Sequence, residues 1–183
     1  MAKKYIVGTN TEVGEGTHIS RGTVIGDDVK IGRNVKIGKY CIIGDDVTIL
    51  GDVTLGNNVI LSSGVTVYPY ATLENKVKVC KRSSIGEHSV IGKCAHVGPD
   101  SQIYSYVILE NHAHIGRACS IGQHATVGQE ATVSDCVMLG SYVKVDDGDF
   151  IPHSTHIPSI PQARSDHAPE QYIETIIYKT HND

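Results

Sequence analysis

Three of the ten histidines lie within thirteen consecutive residues: His112, His114 and His124, in the stretch ENHAHIGRACSIGQHATVG. An imidazole titrates near neutral pH, so histidine is a common general base in group transfer, and it is also the commonest metal ligand. The stretch therefore indicates two kinds of chemistry, base catalysis and metal binding. Which histidines act together depends on how the chain folds around them.

The composition narrows the class of protein. The chain has 183 residues, enough for one domain, and 40% of them are apolar, but only 5% are aromatic. A core of small and β-branched side chains is expected, which favours a thin and regular interior. The formal net charge is −4 and the Lys and Arg residues are scattered, which argues against nucleic acid or an anionic membrane as a partner.

Targeting and redox signals indicate a cytoplasmic protein. The N-terminal MAKKYIVGTN lacks the apolar region of a signal peptide, and no apolar run approaches the roughly 18 residues that cross a bilayer. Five cysteines, an odd number without a CxxC pair, fit a reducing compartment better than a disulfide framework. We expect no membrane partner.

A six-residue repeat organises almost the whole chain. Steps of six from Val7 to Ile157 reach 26 positions, and each is Ile, Leu or Val. The residue two places earlier is mostly small or β-branched, and Gly often follows the aliphatic residue. A period of six fits neither a helix nor simple alternation, so each hexad predicts a short strand and a turn with two inward side chains. Gly is expected to relieve the turn sterically.

The hexads IGDDVK, IGRNVK, IGDDVT and IGEHSV resemble the motif of the hexapeptide-repeat superfamily, an aliphatic residue followed by Gly with a small residue at the fifth place. The resemblance covers about residues 7–157. It implies an all-β fold, a left-handed parallel β-helix in which three hexads form one 18-residue coil. The 26 hexads then give about nine coils in a prism roughly 40 Å long. We expect residues 1–157 to form this β-helix.

The repeat stops after Ile157. Residues 158–183 read PSIPQARSDHAPEQYIETIIYKTHND, and they predict a Pro-rich link followed by a short amphipathic α-helix. The apolar face of that helix is formed by Tyr172, Ile173, Ile176 and Ile177. We expect the helix to cap the open end of the prism or to pack on a neighbouring subunit.

An 18-residue coil converts sequence distance into geometry, because residues 18 apart lie about 4.8 Å from one another on adjacent coils. The residue before each aliphatic one points outward and belongs to one of three columns. One column contains Val24, Ile42, Ile60, Lys78, His96, His114, Thr132 and Phe150. Its three consecutive aliphatic residues predict an exposed apolar strip, which is unusual on a soluble monomer. We expect this face to be a subunit contact, and the resemblance implies a homotrimer.

The same register separates the histidines. His96 and His114 share the apolar face, and the adjoining corner places His112 between Cys94 and Glu130. These five residues predict one patch, in which His112 or His114 acts as the catalytic base and His96, Cys94 and Glu130 contact the substrate. His124, the third histidine of the opening stretch, belongs to a different column on the opposite corner. That column contains Tyr70, His88, Tyr106, His124 and Tyr142. We expect stacking of planar rings there in preference to ligand binding.

The resemblance also implies a function. In acyltransferases of this superfamily a histidine between subunits deprotonates the hydroxyl or amine of a small-molecule acceptor, and the acyl-CoA donor, such as acetyl-CoA, lies along the prism. The segment NHAHIG is similar to His-containing turns of sugar acyltransferases in this group. Such chemistry needs a base, an orienting carboxylate and oxyanion donors. We assign these roles to His112, to Glu130 and to backbone amides at the Gly116 turn. Unlike many of these enzymes, the chain inserts no loop into the repeat.

Two alternatives stay open. The tail DDGDFIPHSTHIPSIPQARSDHAPE resembles the segment that leaves the β-helix in γ-class carbonic anhydrases, but the zinc-binding histidines five residues apart are missing, and their places fall near Ser105 and Glu110. His96, His114 and Cys94 could still bind a metal ion between subunits. The other alternative is a non-catalytic scaffold or assembly subunit, since an uninterrupted β-helix is a stiff rod.

Overall fold

The computed structural model describes residues 5–161, which contain 26 strands of two residues each and no helix. One strand forms in every hexad, and every third strand joins the same parallel sheet. With three strands in each turn, the chain completes eight turns and two sides of a ninth. The predicted all-β, left-handed parallel β-helix with an 18-residue period is therefore confirmed.

The three faces of the prism are three sheets. Sheet A contains β1 (Ile6–Val7), β4 (Val24–Ile25), β7 (Ile42–Ile43), β10 (Ile60–Leu61), β13 (Lys78–Val79), β16 (His96–Val97), β19 (His114–Ile115), β22 (Thr132–Val133) and β25 (Phe150–Ile151). Sheet B contains β2 (Glu12–Val13), β5 (Lys30–Ile31), β8 (Thr48–Ile49), β11 (Thr66–Val67), β14 (Ser84–Ile85), β17 (Gln102–Ile103), β20 (Ser120–Ile121), β23 (Met138–Leu139) and β26 (His156–Ile157). Sheet C contains β3 (His18–Ile19), β6 (Lys36–Ile37), β9 (Thr54–Leu55), β12 (Thr72–Leu73), β15 (Val90–Ile91), β18 (Ile108–Leu109), β21 (Thr126–Val127) and β24 (Lys144–Val145).

The core is a stack of layers, each formed by three aliphatic residues and three smaller ones. Leu61, Val79 and Ile115 are fully buried, and so is the small residue Ala71. Polar residues at the inward small position bond to the backbone: the Ser83 hydroxyl donates to the Gly98 carbonyl over 2.8 Å. Polar inward positions therefore do not interrupt the core, because each hydroxyl finds a backbone partner.

The corners between sheets use an unusual backbone conformation. In the described residues, 21 non-glycine residues have positive φ, almost all of them at the second position of a turn between strands. The glycine that follows each aliphatic residue does not have this conformation. At Gly98, for example, a Cβ atom would overlap the backbone carbonyl of Gly116 on the next coil. The prediction that Gly is needed to relieve strain in the turn is thus wrong. Gly is needed because a side chain at this position would keep two neighbouring coils apart.

Asparagine and aspartate side chains at the corners connect each coil to the preceding one by hydrogen bonds. Their side-chain oxygens accept hydrogen bonds from backbone amides 18 residues earlier, as Asn111 does from Lys93 over 2.8 Å and Asp135 from Arg117 over 2.7 Å. Each bond satisfies an amide that faces away from the core. The frequent Asp and Asn of the hexads therefore join neighbouring coils.

The end of the repeat agrees with the sequence. The last strand ends at Ile157, and Ile160 packs against the core. The predicted C-terminal helix lies outside the described residues and stays a prediction. Among residues 5–161, no helix is of the length and apolarity that a membrane span needs.

The role of the glycines can be tested by comparing Gly98→Ala with Gly51→Ala. At Gly51 the nearest atom to an added Cβ is the Arg33 carbonyl oxygen at 3.4 Å, an ordinary contact. We expect Gly98→Ala to destabilise the fold by about 1–3 kcal/mol because two coils must move apart. The Gly51 variant should stay within about 0.5 kcal/mol of the parent. Urea-denaturation midpoints measure both, and equal midpoints for the two variants would contradict the packing role.

Candidate functional site

The outer face of sheet A carries an exposed apolar strip. Ile6, Val24 and Ile42 are 65%, 40% and 50% exposed, and Ile60 on the next coil is half-buried. Strands β4, β7 and β10 pair in register, so these side chains form one continuous row. The strip predicted from the sequence is therefore present on this chain, whereas the homotrimer stays a prediction.

Two stacked histidines continue the row on the same face. β16 and β19 pair in parallel with His96 opposite His114. The ring centroids lie 4.8 Å apart and the ring planes differ by 7°. His114 is exposed and His96 is half-buried. The 18-residue spacing of the two side chains thus produces a close pair of imidazoles.

His96 differs chemically from its partner. Burial of the ring lowers its pKa, and electrostatic repulsion from the neighbouring His114 and Lys78 side chains lowers it further. The neutral form of the His96 imidazole is therefore favoured relative to that of an exposed histidine. Its Nε2 lies 3.7 Å from the Sγ of Cys80, a residue that sequence reasoning missed. The available signal was that Cys80 stands after the aliphatic Val79, where many hexads have Gly.

His112 lies at the corner between sheets C and A. Its backbone has φ of 62°, and Cys94 and Glu130 occupy the same corner one coil before and one coil after it, with φ of 60° and 59°. The side chain of His112 is exposed. The Oε1 of Glu130 accepts a hydrogen bond of 3.4 Å from Gln129 Nε2, and neither a hydrogen bond nor an ion pair joins it to His112. The register predicted for this corner is correct, but the proposed orienting contact is not formed in the single chain.

The turn after β19 offers no free amides for an oxyanion. The amide of Gly116 donates to the Val133 carbonyl over 2.7 Å, and the amide of Arg117 donates to Asp135 Oδ1. The amide of Ala118 donates to the Pro99 carbonyl over 2.9 Å. The prediction that amides of the Gly116 turn stabilise an oxyanion is therefore wrong, because coil stacking already uses these donors.

A metal site is not formed within the described part of one chain. No three His, Cys, Asp or Glu residues between positions 5 and 161 are grouped closely enough to hold a metal ion. For His96 and His114 the stack itself explains this, since imidazole nitrogens bind a metal in the plane of their ring and nearly parallel planes do not converge on one ion. A metal bound by these two histidines would need further subunits, and that hypothesis stays a prediction.

The corner between sheets B and C carries an aromatic ladder, defined as Tyr70, His88, Tyr106, His124 and Tyr142. Neighbouring ring centroids lie 4.8–5.0 Å apart, with planes within 12° of each other. The predicted stacking of this column is therefore confirmed. His124 belongs to the ladder and lies across the prism from sheet A, so it is not part of the histidine patch.

Comparison with known proteins agrees with the repeat. A family model described as "Bacterial transferase hexapeptide (six repeats)" matches residues 10–42 and 34–68. No curated protein sequence matches the chain.

Three of the similar solved structures share between 15% and 19% of their residues with this chain. UDP-N-acetylglucosamine O-acyltransferase from Moraxella catarrhalis RH4 is 15% identical, with 79% of this chain and 66% of that one covered and a TM-score of 0.38. LpxA from Acinetobacter baumannii is 16% identical over 87% of this chain and 64% of its own, with a TM-score of 0.48. A variant of perosamine N-acetyltransferase from Caulobacter crescentus, in complex with CoA and GDP-perosamine, is 19% identical. The match covers 90% of this chain and 55% of that one, with a TM-score of 0.35.

This chain thus covers between 55% and 66% of the length of those three proteins. The uninterrupted hexads and the three parallel sheets with an 18-residue period extend from β1 to β26 the hexapeptide pattern that the family model matches in residues 10–68.

Proposed function

We propose that this chain transfers an acyl group, such as acetyl, from a CoA thioester to a hydroxyl or amine of a small molecule. The reaction would take place at the histidine patch, defined as His96, His112, His114, Cys94 and Glu130. The observation that carries the proposal is the stacked pair of His96 and His114 on an outer face bordered by exposed apolar residues. The matched family is described as a transferase, which agrees with group transfer.

The two stacked histidines suit different roles. A general base that deprotonates the acceptor becomes a cation, and a charged neighbour would oppose that step. His96 is the half-buried member with the lowered pKa, so its ring takes up a proton less readily than an ordinary imidazole. His114 can then take the acceptor proton, with His112 at the corner as the rival base. Lys78, opposite His96 in the adjacent strand, is the nearest cation in register for the developing oxyanion.

The reaction balances without a further reactant. The deprotonated acceptor oxygen or nitrogen attacks the thioester carbonyl and forms a tetrahedral intermediate, which expels the CoA thiolate. The proton held by the histidine then passes to the thiolate, which regenerates the neutral base and releases CoA. Water exclusion would come from a second subunit packed on sheet A, because the repeat has no inserted loop to cover the patch.

Substitution of the histidines tests this proposal. The assay follows release of the free CoA thiol from acetyl-CoA with a panel of amino sugars and sugar alcohols as acceptors. We expect His114→Ala or His112→Ala to lower the rate about 10²–10⁴-fold, depending on which residue is the base. His124→Ala is the matched control, since it removes a histidine from the aromatic ladder, and should change the rate less than twofold.

Three results would contradict acyl transfer at this patch. They are unchanged rates in both patch variants, equal losses in the His124 control, and a parent protein that neither releases CoA nor is stabilised against heat by acetyl-CoA. Stabilisation by zinc, cobalt or iron alone would favour the metalloprotein alternative, and stabilisation by none of these ligands would favour a scaffold.

The lowered pKa of His96 has a consequence for stability. Its folded-state pKa lies below the ordinary value, so the unfolded chain binds the proton first as the pH falls. The stability from the neutral ring is present in full above about pH 6.5 and is lost as the pH falls through the folded pKa. We expect the urea midpoint of the parent to fall more between about pH 7.5 and about pH 5 than that of His96→Asn.

The exposed His18 on sheet C supplies the control for this titration. His18→Asn removes a histidine from an outward strand position, and its midpoints are measured at the same pH values for comparison with His96→Asn. If His96→Asn also followed the parent, protonation of His96 would not be coupled to folding.

A further inference from the structure

A second region of the surface has the form of a binding site that the proposed reaction does not use. It lies on sheet B beside the aromatic ladder, on a different face of the prism from the histidine patch. Two neighbouring grooves with volumes of about 270 Å³ and 440 Å³ share Tyr104 as a common wall. The smaller groove begins at Tyr68 and the larger one ends at Ser159, so together they extend along the prism axis.

The grooves arise from a break in the repeat. On sheet B the position after the aliphatic residue is tyrosine at Tyr68 and Tyr104, but it is glycine at Gly86, Gly122 and Gly140. The two tyrosines are 44% and 48% exposed, so they project from the surface while the glycines leave bare backbone between and beyond them. Two coils separate the tyrosines, which is a distance of about 10 Å. That gap accommodates one ring-shaped group over Gly86.

The lining of the grooves is polar but almost uncharged. Ser84, Gln102 and Ser105 line the smaller groove. Ser120, Gln123 and Ser141 line the larger one. Besides Tyr104, His156 is the titratable side chain among its described lining residues. The described lining residues of both grooves include no Asp, Glu, Lys or Arg. A phosphate or carboxylate ligand would find no matching cation here, and a metal ion would find no carboxylate.

Tyr104 is held in place for contact with a ligand. Its hydroxyl donates to Gln102 Oε1 over 3.1 Å. This bond fixes the ring between the two grooves and uses the acceptor of the Gln102 amide, which leaves the Gln102 Nε2 to donate to a bound molecule. An oriented aromatic face therefore stands beside a hydrogen-bond donor and several serine hydroxyls.

We propose that this sheet B groove, from Tyr68 to Ser159, binds a neutral oligosaccharide. A sugar ring has an apolar C–H face that packs on tyrosine and a rim of hydroxyls that pair with serine and glutamine. The absence of charge in the described lining matches an uncharged glycan, and two grooves in line match a ligand of linked rings. The site is independent of acyl transfer, since it shares no residue with the histidine patch.

Binding can be measured on the full chain with defined neutral glycans. The probes are tetrasaccharides of glucose, mannose, galactose and N-acetylglucosamine, detected by isothermal titration and by saturation transfer from the protein to the sugar protons. We expect saturable binding of at least one probe and an affinity loss of about tenfold or more in Tyr104→Ala, which removes the shared wall. Ser120→Tyr, which fills the larger groove from an outward strand position, should reduce binding to a similar extent.

Tyr40→Ala is the matched control, because Tyr40 is an equally exposed tyrosine on the corner between sheets C and A. It should bind the glycan within twofold of the parent, and circular dichroism should show that every variant is folded. The proposal is overturned if none of the probes binds saturably, or if folded Tyr104→Ala and Ser120→Tyr bind as tightly as Tyr40→Ala. Loss of acyl transfer in the histidine variants would leave this result unchanged, so the two proposals are tested separately.

Discussion

The backbone ladder between consecutive coils is the constraint on which the rest of this structure depends. The amide of each outward residue donates to the carbonyl 17 residues later, as Ile42 does to Val59 and His96 to Ala113, both over 2.9 Å. Parallel pairing of this kind satisfies the backbone only if each coil contains 18 residues. The uninterrupted hexads meet this condition from β1 to β26.

Once the coil length is fixed, the chemistry of the surface is arranged in columns. His96 stacks on His114, and the tyrosines and histidines of the aromatic ladder stack on one another, because each pair is 18 residues apart. The same rule aligns Val24 with Ile42 and sets Tyr68 and Tyr104 two coils apart. A functional site in such a protein is therefore formed by side chains at equivalent positions of neighbouring coils, and not by residues of inserted loops.

The sequence was sufficient for every feature that depends on register. The strands, the apolar strip, the paired histidines and the aromatic ladder all follow from counting in sixes and eighteens. Features that depend on side-chain direction did not follow from counting. Glu130 lies one coil after His112, as predicted, but its side chain bonds to Gln129. Cys80 approaches His96 from a position that is glycine in many hexads. The Gly116 amides were misjudged because the stacking of coils uses them.

The central claim is that sheet A joins copies of this chain and thereby completes the histidine patch. Light scattering on a size-exclusion column measures this most directly, on the parent, on Ile42→Glu and on Ile108→Glu, an exposed position of sheet C. We expect three times the 19.7 kDa chain mass for the parent and the sheet C variant. For Ile42→Glu we expect the single-chain mass, because each copy of a trimer would bury an unpaired carboxylate. A monomeric parent, or an Ile42→Glu protein that remains trimeric, would contradict the claim.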